Sequence, residues 1–182
     1  MNAARRSVLA AVLVLGLASC STTFRPPPEG PNDTMIVASY WFHEGLSISE
    51  ILGPGWGLGR VRLVLQDSST GSRVYVERTG GRGLMIGRSP DPGTYEVLAL
   101  ELQVSYSSTP VVDLQLRFQG SPRVNIAPGR VWNAGYFDLT VNEDRQVSYR
   151  WMPDYERQRS LFRDSYPDSE WNDFEWQNAP LY

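Results

Sequence analysis

The feature that most constrains the fold of this 182-residue chain is a series of short segments in which apolar and polar residues alternate. Residues Arg60–Gln66 read RVRLVLQ, and the longest segment, Thr94–Tyr106, reads TYEVLALELQVSY. In the longer segment, every second residue from Leu98 onward is apolar or aromatic. Alternation with a period of two is typical of a β-strand that buries one face and exposes the other.

Eight or nine strands of this kind follow one another along the chain, with clusters of Gly, Pro, Asp and Ser between them. The segments are 35–42, 60–66, 73–78, 84–87, 94–106, 111–118, 124–126, 131–141 and 147–151. No convincing helical pattern interrupts them, so the sequence predicts a mainly β domain, either an antiparallel β-sandwich or a barrel. Asp113 and Asp138 alternate with apolar neighbours and are expected to face solvent.

The pattern changes after Pro153. Residues 154–164 carry Tyr155, Arg159 and Phe162 at helical spacings, with Asp154 as a candidate N-cap and Pro167 as a helix stop. The last 29 residues hold seven acidic residues and three Arg, which gives a net charge of −4. We therefore predict a β domain over 35–152 and a helical, acidic and aromatic tail over 153–182, irregular beyond its helix.

The amino terminus has the order of an export signal. Arg5 and Arg6 precede the apolar run Val8–Leu15, and small residues lead from there to the single cysteine, Cys20. A run of this length is too short for a lasting transmembrane helix, which needs about 20 apolar residues. We expect residues 1–19 to be a signal peptide that is removed.

Leu17–Cys20 (LASC) resembles the lipobox of bacterial lipoproteins. The resemblance implies that the Cys20 thiol carries diacylglycerol and that the signal is cut before it, so that acyl chains such as palmitate anchor the protein to the membrane. The next residue is Ser21 rather than Asp, which by the same resemblance implies an outer-membrane lipoprotein facing the periplasm of a Gram-negative host. The Pro-rich segment 20–34 is expected to be a semi-rigid tether.

Two stretches of the β domain resemble β-sandwich lipoproteins of unknown function whose domain is transthyretin-like, or carboxypeptidase-regulatory-like. They are Pro92–Val97 (PGTYEV) and Ile126–Gly135 (IAPGRVWNAG). The resemblance favours an antiparallel sandwich of the immunoglobulin or transthyretin type over a barrel. It implies no catalytic residue.

Composition excludes several kinds of site. A single Cys rules out an internal disulfide, and a single His rules out a multi-histidine metal centre. With a net charge of −3, the chain also lacks the excess of basic residues expected of a nucleic-acid binder. The glycine-rich loop Gly53–Gly59 precedes a strand pattern and lacks the Lys of a phosphate loop. His43 is interpreted as a strand-end residue. We expect no catalytic residue, no metal and no cofactor.

Three tryptophans are candidate contacts for a partner or ligand: Trp56 in the glycine-rich loop, and Trp171 and Trp176 in the tail. The tail could instead pack across its own domain and cover a strand edge. The sequence favours a non-enzymatic envelope lipoprotein that binds a protein or assists assembly. A cell-wall or glycan-binding domain that uses exposed aromatics is the alternative, and an envelope hydrolase is a more distant one.

Overall fold

A computed structural model describes residues 27–43, 49–50, 53–79, 83–88, 90–118, 120, 122–141 and 146–179. Within these residues, the regular structure consists of ten strands, one α-helix and a short 3-10 helix. The strands are β1 Met35–Phe42, β2 Trp56–Asp67, β3 Arg73–Arg78, β4 Leu84–Arg88, β5 Gly93–Tyr106, β6 Thr109–Arg117, β7 Arg123–Ile126, β8 Arg130–Val141, β9 Val147–Met152 and β10 Glu175–Asn178. The helix α1 spans Tyr155–Ser165. The prediction of a mainly β fold with a short helix near the carboxyl terminus is confirmed.

The strands form one continuous sheet in the order β10-β8-β1-β4-β3-β2-β5-β6, with β9 added to β8 and β7 to β5. The predicted antiparallel arrangement is wrong for part of this sheet, because β8 runs parallel to both β1 and β10. The sheet is mixed and nearly closed into a barrel-like shape. The predicted division into the two separate sheets of a sandwich is not confirmed.

The two ends of the sheet approach each other through aromatic side chains. The Phe118 ring, just after β6, lies 5.1 Å from the Tyr149 ring of β9 and 5.7 Å from the Phe137 ring of β8. The Tyr149 hydroxyl also donates to the Arg117 carbonyl oxygen at 3.4 Å. These contacts enclose the main core, to which Val61, Leu63 and Leu65 of β2 contribute on one face as predicted.

Strand β1 is buried on both faces, which explains why its sequence (MIVASYWF) is almost continuously apolar. Alternate residues from Ile36 to Phe42 enter the main core. Met35 and Val37 point to the opposite face, where a second core lies. The buried members of this outer cluster are Met35, Val37, Leu84, Ile86, Val131, Phe162 and Trp171.

The carboxy-terminal segment covers the outer cluster. Asp154 caps α1 by accepting a hydrogen bond from the Arg157 backbone N–H, as predicted, and Pro167 lies just beyond the helix. The 3-10 helix Glu170–Asp173 follows, and then β10 pairs with the first half of β8. The tail therefore packs back on its own domain and extends the sheet. Its seven acidic residues are all exposed: Asp154, Glu156, Asp164, Asp168, Glu170, Asp173 and Glu175.

Candidate ligand-binding cleft

A bulge in β8 shapes the outer face of the sheet next to α1. Between Val37 and Ser39 of β1 the facing strand advances from Asn133 to Tyr136, which is one residue more. Gly135 supplies the left-handed backbone at the bulge, with φ of +76°, and a Cβ there would lie 2.8 Å from the Met152 carbonyl oxygen. As a result, Tyr136 stands beside Ser39 on the outer face.

Asn133 attaches the helix to this bulge. Its side-chain carbonyl accepts from the Gly135 backbone N–H at 3.1 Å, and its amide donates to the Tyr155 carbonyl oxygen at 2.9 Å. The first turn of α1 is thereby fixed above β8, and the helix runs across β1 and β8. A cleft of about 270 Å³ remains between helix and sheet. It is lined by Ser39, Tyr40, Trp41, Tyr136, Arg157, Gln158, Ser160, Leu161 and Asp164.

Aromatic rings from the sheet hold a guanidinium at the mouth of the cleft. The Arg157 Cζ atom lies 5.5 Å from the centroid of the Trp41 ring and 5.2 Å from that of Tyr136. Trp41 is 41% exposed, unusual for so large an apolar side chain in this fold. Such cation–π contacts contribute about 0.5–1 kcal/mol each at exposed positions, so the rings restrict the orientation of Arg157 while its N–H groups stay accessible.

A buried amide without a hydrogen-bond partner among the described residues lines the cleft. Gln158 is 1% exposed, and among the described residues neither its Nε2 nor its Oε1 atom has a hydrogen-bond partner. A buried polar group left in this state costs about 1–3 kcal/mol of stability. The Tyr40 side chain instead enters the main core, where burial raises the pKa of its hydroxyl.

No protein family, curated protein or solved structure gives a significant match to this chain. Within the part of the chain that the structure describes, no helix is long and apolar enough to span a membrane. In that same part, no group of three His, Cys, Asp or Glu side chains is placed to hold a metal ion.

The single histidine lies at the end of β1, near the cleft. His43 Nδ1 is 3.3 Å from Asp138 Oδ2, and the same oxygen accepts from the Arg150 guanidinium at 3.0 Å. Asp138 does lie on the outer face, but it is only 8% exposed because these two side chains cover it. The expectation of a fully solvated carboxylate was wrong for Asp138, whereas Asp113 is exposed as expected. The geometry supports a role for Asp138 in joining β8 to β9 and to the end of β1.

Of the three tryptophans named from the sequence, Trp56 lies against a different core from Trp171 and Trp176. Trp56 begins β2 and is half-buried against the main core. Its ring lies 5.3 Å from that of Tyr106, which is one of the most exposed large side chains of the fold. The loop before it makes a turn at Gly53 and Gly55, both with positive φ, and leads into a strand rather than a helix.

The two tail tryptophans belong to the outer cluster. Trp171 is 2% exposed, so it offers almost no surface to a partner, and its ring packs 4.9 Å from that of Phe174. Trp176 is partly buried, lies 5.3 Å from the Phe162 ring, and donates its indole N–H to the Trp171 carbonyl oxygen. Both positions agree with packing of the tail on its own domain. Cys20 lies outside the described residues, so its lipidation stays a prediction.

Sequence reasoning missed Trp41, Tyr136, Arg157 and Gln158 as site residues. For Trp41 the sequence held a signal. It lies on the same face of β1 as Met35 and Val37, but the polar residue Ser39 separates it from them. The others could not be found in the same way, because the cleft joins residues more than 90 positions apart in the chain.

Proposed function

We propose that this chain is a non-enzymatic outer-membrane lipoprotein that faces the periplasm and binds another envelope component through the cleft between α1 and the sheet. The anchor is Cys20, supported by the lipobox Leu17–Cys20 and by the charged and apolar residues before it. Two or three acyl chains on one residue would hold the protein stably, since one chain alone binds only marginally. The segment 20–34 would then space the folded domain from the bilayer.

The observation that carries a binding role is the unpartnered amide of Gln158, a buried residue that lines the cleft. Natural proteins leave few buried polar groups without partners, and a bound ligand or ordered water is one explanation for such a group. Rigid walls support the same conclusion, because Asn133 fixes the helix to the sheet and Trp41 and Tyr136 orient Arg157. A preorganised site loses less entropy when it binds.

We propose no catalytic residue. The arrangement closest to one is the contact of His43 with Asp138, but the Arg150 guanidinium shares that carboxylate. Ion pairing of this kind holds strands together and does not by itself activate a nucleophile. Envelope hydrolysis therefore stays the least supported of the three functions.

Glycan binding is the second candidate, supported by the exposed aromatic rings of Trp41 and Tyr106. Sugars commonly bind on open aromatic faces. In the cleft, however, the Arg157 guanidinium lies over both the Trp41 and the Tyr136 ring. Binding of a protein or peptide through polar groups is therefore the better supported function.

Two measurements test this proposal in the native envelope. With a palmitate analogue, the wild-type chain should be labelled and processed, whereas Cys20→Ser should be neither. Continued labelling of Cys20→Ser would contradict the lipid anchor at that residue. Crosslinking pull-down should then recover a specific envelope component with wild-type protein and much less of it with Arg157→Gln. Equal recovery with both proteins would contradict binding through the cleft.

A further inference from the structure

The chemistry of the cleft identifies a class of ligand, an inference that rests on the proposed binding function. Its volume of about 270 Å³ lies just below the range of about 300–1,000 Å³ typical of small-molecule sites. A space of this size accommodates one residue or one sugar ring. The site is thus suited to the end of a larger ligand rather than to the middle of a chain.

The first recognition group is the Arg157 guanidinium. Among the described residues it has no carboxylate partner, while the nearby Asp138 is already paired with Arg150. The Trp41 and Tyr136 rings lie beside the Arg157 guanidinium. A planar guanidinium matches a carboxylate, which can accept two parallel N–H hydrogen bonds from it.

The second group is Gln158, the residue next to Arg157 on the helix. Its amide offers two N–H donors and one carbonyl acceptor, all unused within the fold. A peptide group supplies the complementary pair, because its N–H can donate to Oε1 and its C=O can accept from Nε2. A ligand that carries a carboxylate beside a peptide group would satisfy Arg157 and Gln158 at once.

The third group sets the direction of the ligand. Asp164 lines the same wall as Arg157, seven residues further along α1, which corresponds to about 10 Å along the helix axis. Like charges repel, so a ligand carboxylate is favoured at the Arg157 end and disfavoured at the Asp164 end. Asp164 is two turns away from Arg157 along the helix, so its repulsion of an anion bound at Arg157 is weaker than the attraction by Arg157 itself.

We infer that the cleft between α1 and strands β1 and β8 binds the carboxyl-terminal residue of a peptide, with its free carboxylate on Arg157 and its last peptide group on Gln158. The test uses the full chain purified in detergent and N-acetylalanylalanine as the probe, compared with the same dipeptide amidated at its carboxyl end. Calorimetric titration should give binding of the free acid at least about tenfold tighter than of the amide, equal to about 1.4 kcal/mol.

Matched variants assign that binding to the cleft. Arg157→Gln should weaken binding of the free acid about tenfold or more, whereas Arg163→Gln, which removes an exposed charge from the same helix outside the cleft, should leave it within about twofold. Gln158→Met should weaken it without lowering the melting temperature. Equal losses for the two Arg variants, or equal binding of acid and amide, would overturn the inference.

Two further outcomes separate this inference from the proposed function. If a disaccharide of N-acetylglucosamine binds and the free acid does not, the cleft is a glycan site and the inference is wrong. If neither probe binds while wild-type protein still crosslinks to its envelope component and Arg157→Gln does not, the ligand class is wrong but the binding function stands. If the wild-type chain is neither labelled by the palmitate analogue nor crosslinked to an envelope component, the proposed function is contradicted, whatever the dipeptides show.

Discussion

Replacing Phe162 by alanine is expected to detach the carboxy-terminal segment from the sheet. Phe162 is fully buried, and its ring lies 5.3 Å from those of Tyr166 and Trp176. The only other buried residue of α1 is Gln158, so Phe162 is the main apolar anchor of the helix. Truncation of a buried Phe to Ala costs about 3–5 kcal/mol, since the transfer energy and the cavity both count. A loss of that size is a large part of the total stability of about 5–15 kcal/mol expected of a domain.

Urea unfolding followed by circular dichroism measures this loss, and limited trypsin digestion locates it, because the helix contains Arg157, Arg159 and Arg163. We expect a lower urea midpoint and faster cleavage within α1. The matched control is Leu161→Ala, whose half-buried side chain should cost only about 1–2 kcal/mol. If Phe162→Ala lost less than about 1 kcal/mol and cleavage within α1 were unchanged, the tail would not be packed as described.

Three further predictions concern stability. Gln158→Leu should leave the free energy of unfolding unchanged or raise it by up to about 1 kcal/mol, because it removes an unpartnered buried amide; a clear loss in urea unfolding would mean that the amide has a partner in the fold. Gly83→Ala should cost at least about 2 kcal/mol, because a Cβ there would collide with the Tyr40 carbonyl oxygen. Gly120→Ala, also at positive φ but with open space, should cost only about 1 kcal/mol, and equal losses in the two variants would contradict crowding at Gly83. Three hydrogen bonds from the following turn lower the pKa of Asp67, so its stabilising effect is present above the usual Asp pKa of about 3.9 and is lost as pH falls through the folded pKa. Asp67→Asn should therefore flatten the acid side of the stability profile, and an unchanged profile would show that these bonds do not contribute.

The strands could be predicted because period-two alternation is a local property of the sequence. The limit of that signal is visible in β5, where alternation was expected to place Leu98 on the same face as Leu100 and Leu102. A register shift opposite Val64 and Leu65 changes the phase, so Val97 and Leu100 both enter the core while Leu98 is only partly buried. Tyr95 and Val97 alternate one residue out of step with Leu98, Leu100 and Leu102, and this change of alternation was the sequence signal for the bulge.

Strand partners and the cleft were beyond the local pattern. The apolar run of β1 is equally compatible with parallel and antiparallel neighbours. Its parallel pairing with β8, about 95 residues later, could therefore not be predicted from the local sequence. The pairing of β10 with β8 was likewise not predicted, since Glu175–Asn178 (EWQN) has no apolar alternation. The cleft depends on both features, because the tail brings α1 over strands that lie far from it in sequence.

Occupancy of the cleft in the native envelope tests the central proposal most directly. On the proposal that Cys20 carries the lipid anchor, Ser160→Cys would place the chain's only free thiol at the exposed wall of the cleft. Ser148→Cys is the control, because this residue is exposed on β9 outside the cleft. Maleimide should modify Ser160→Cys several-fold more slowly in the intact envelope than in purified protein, with no such difference for Ser148→Cys. Equal slowing at both positions, or none at Ser160→Cys, would contradict ligand binding in the cleft.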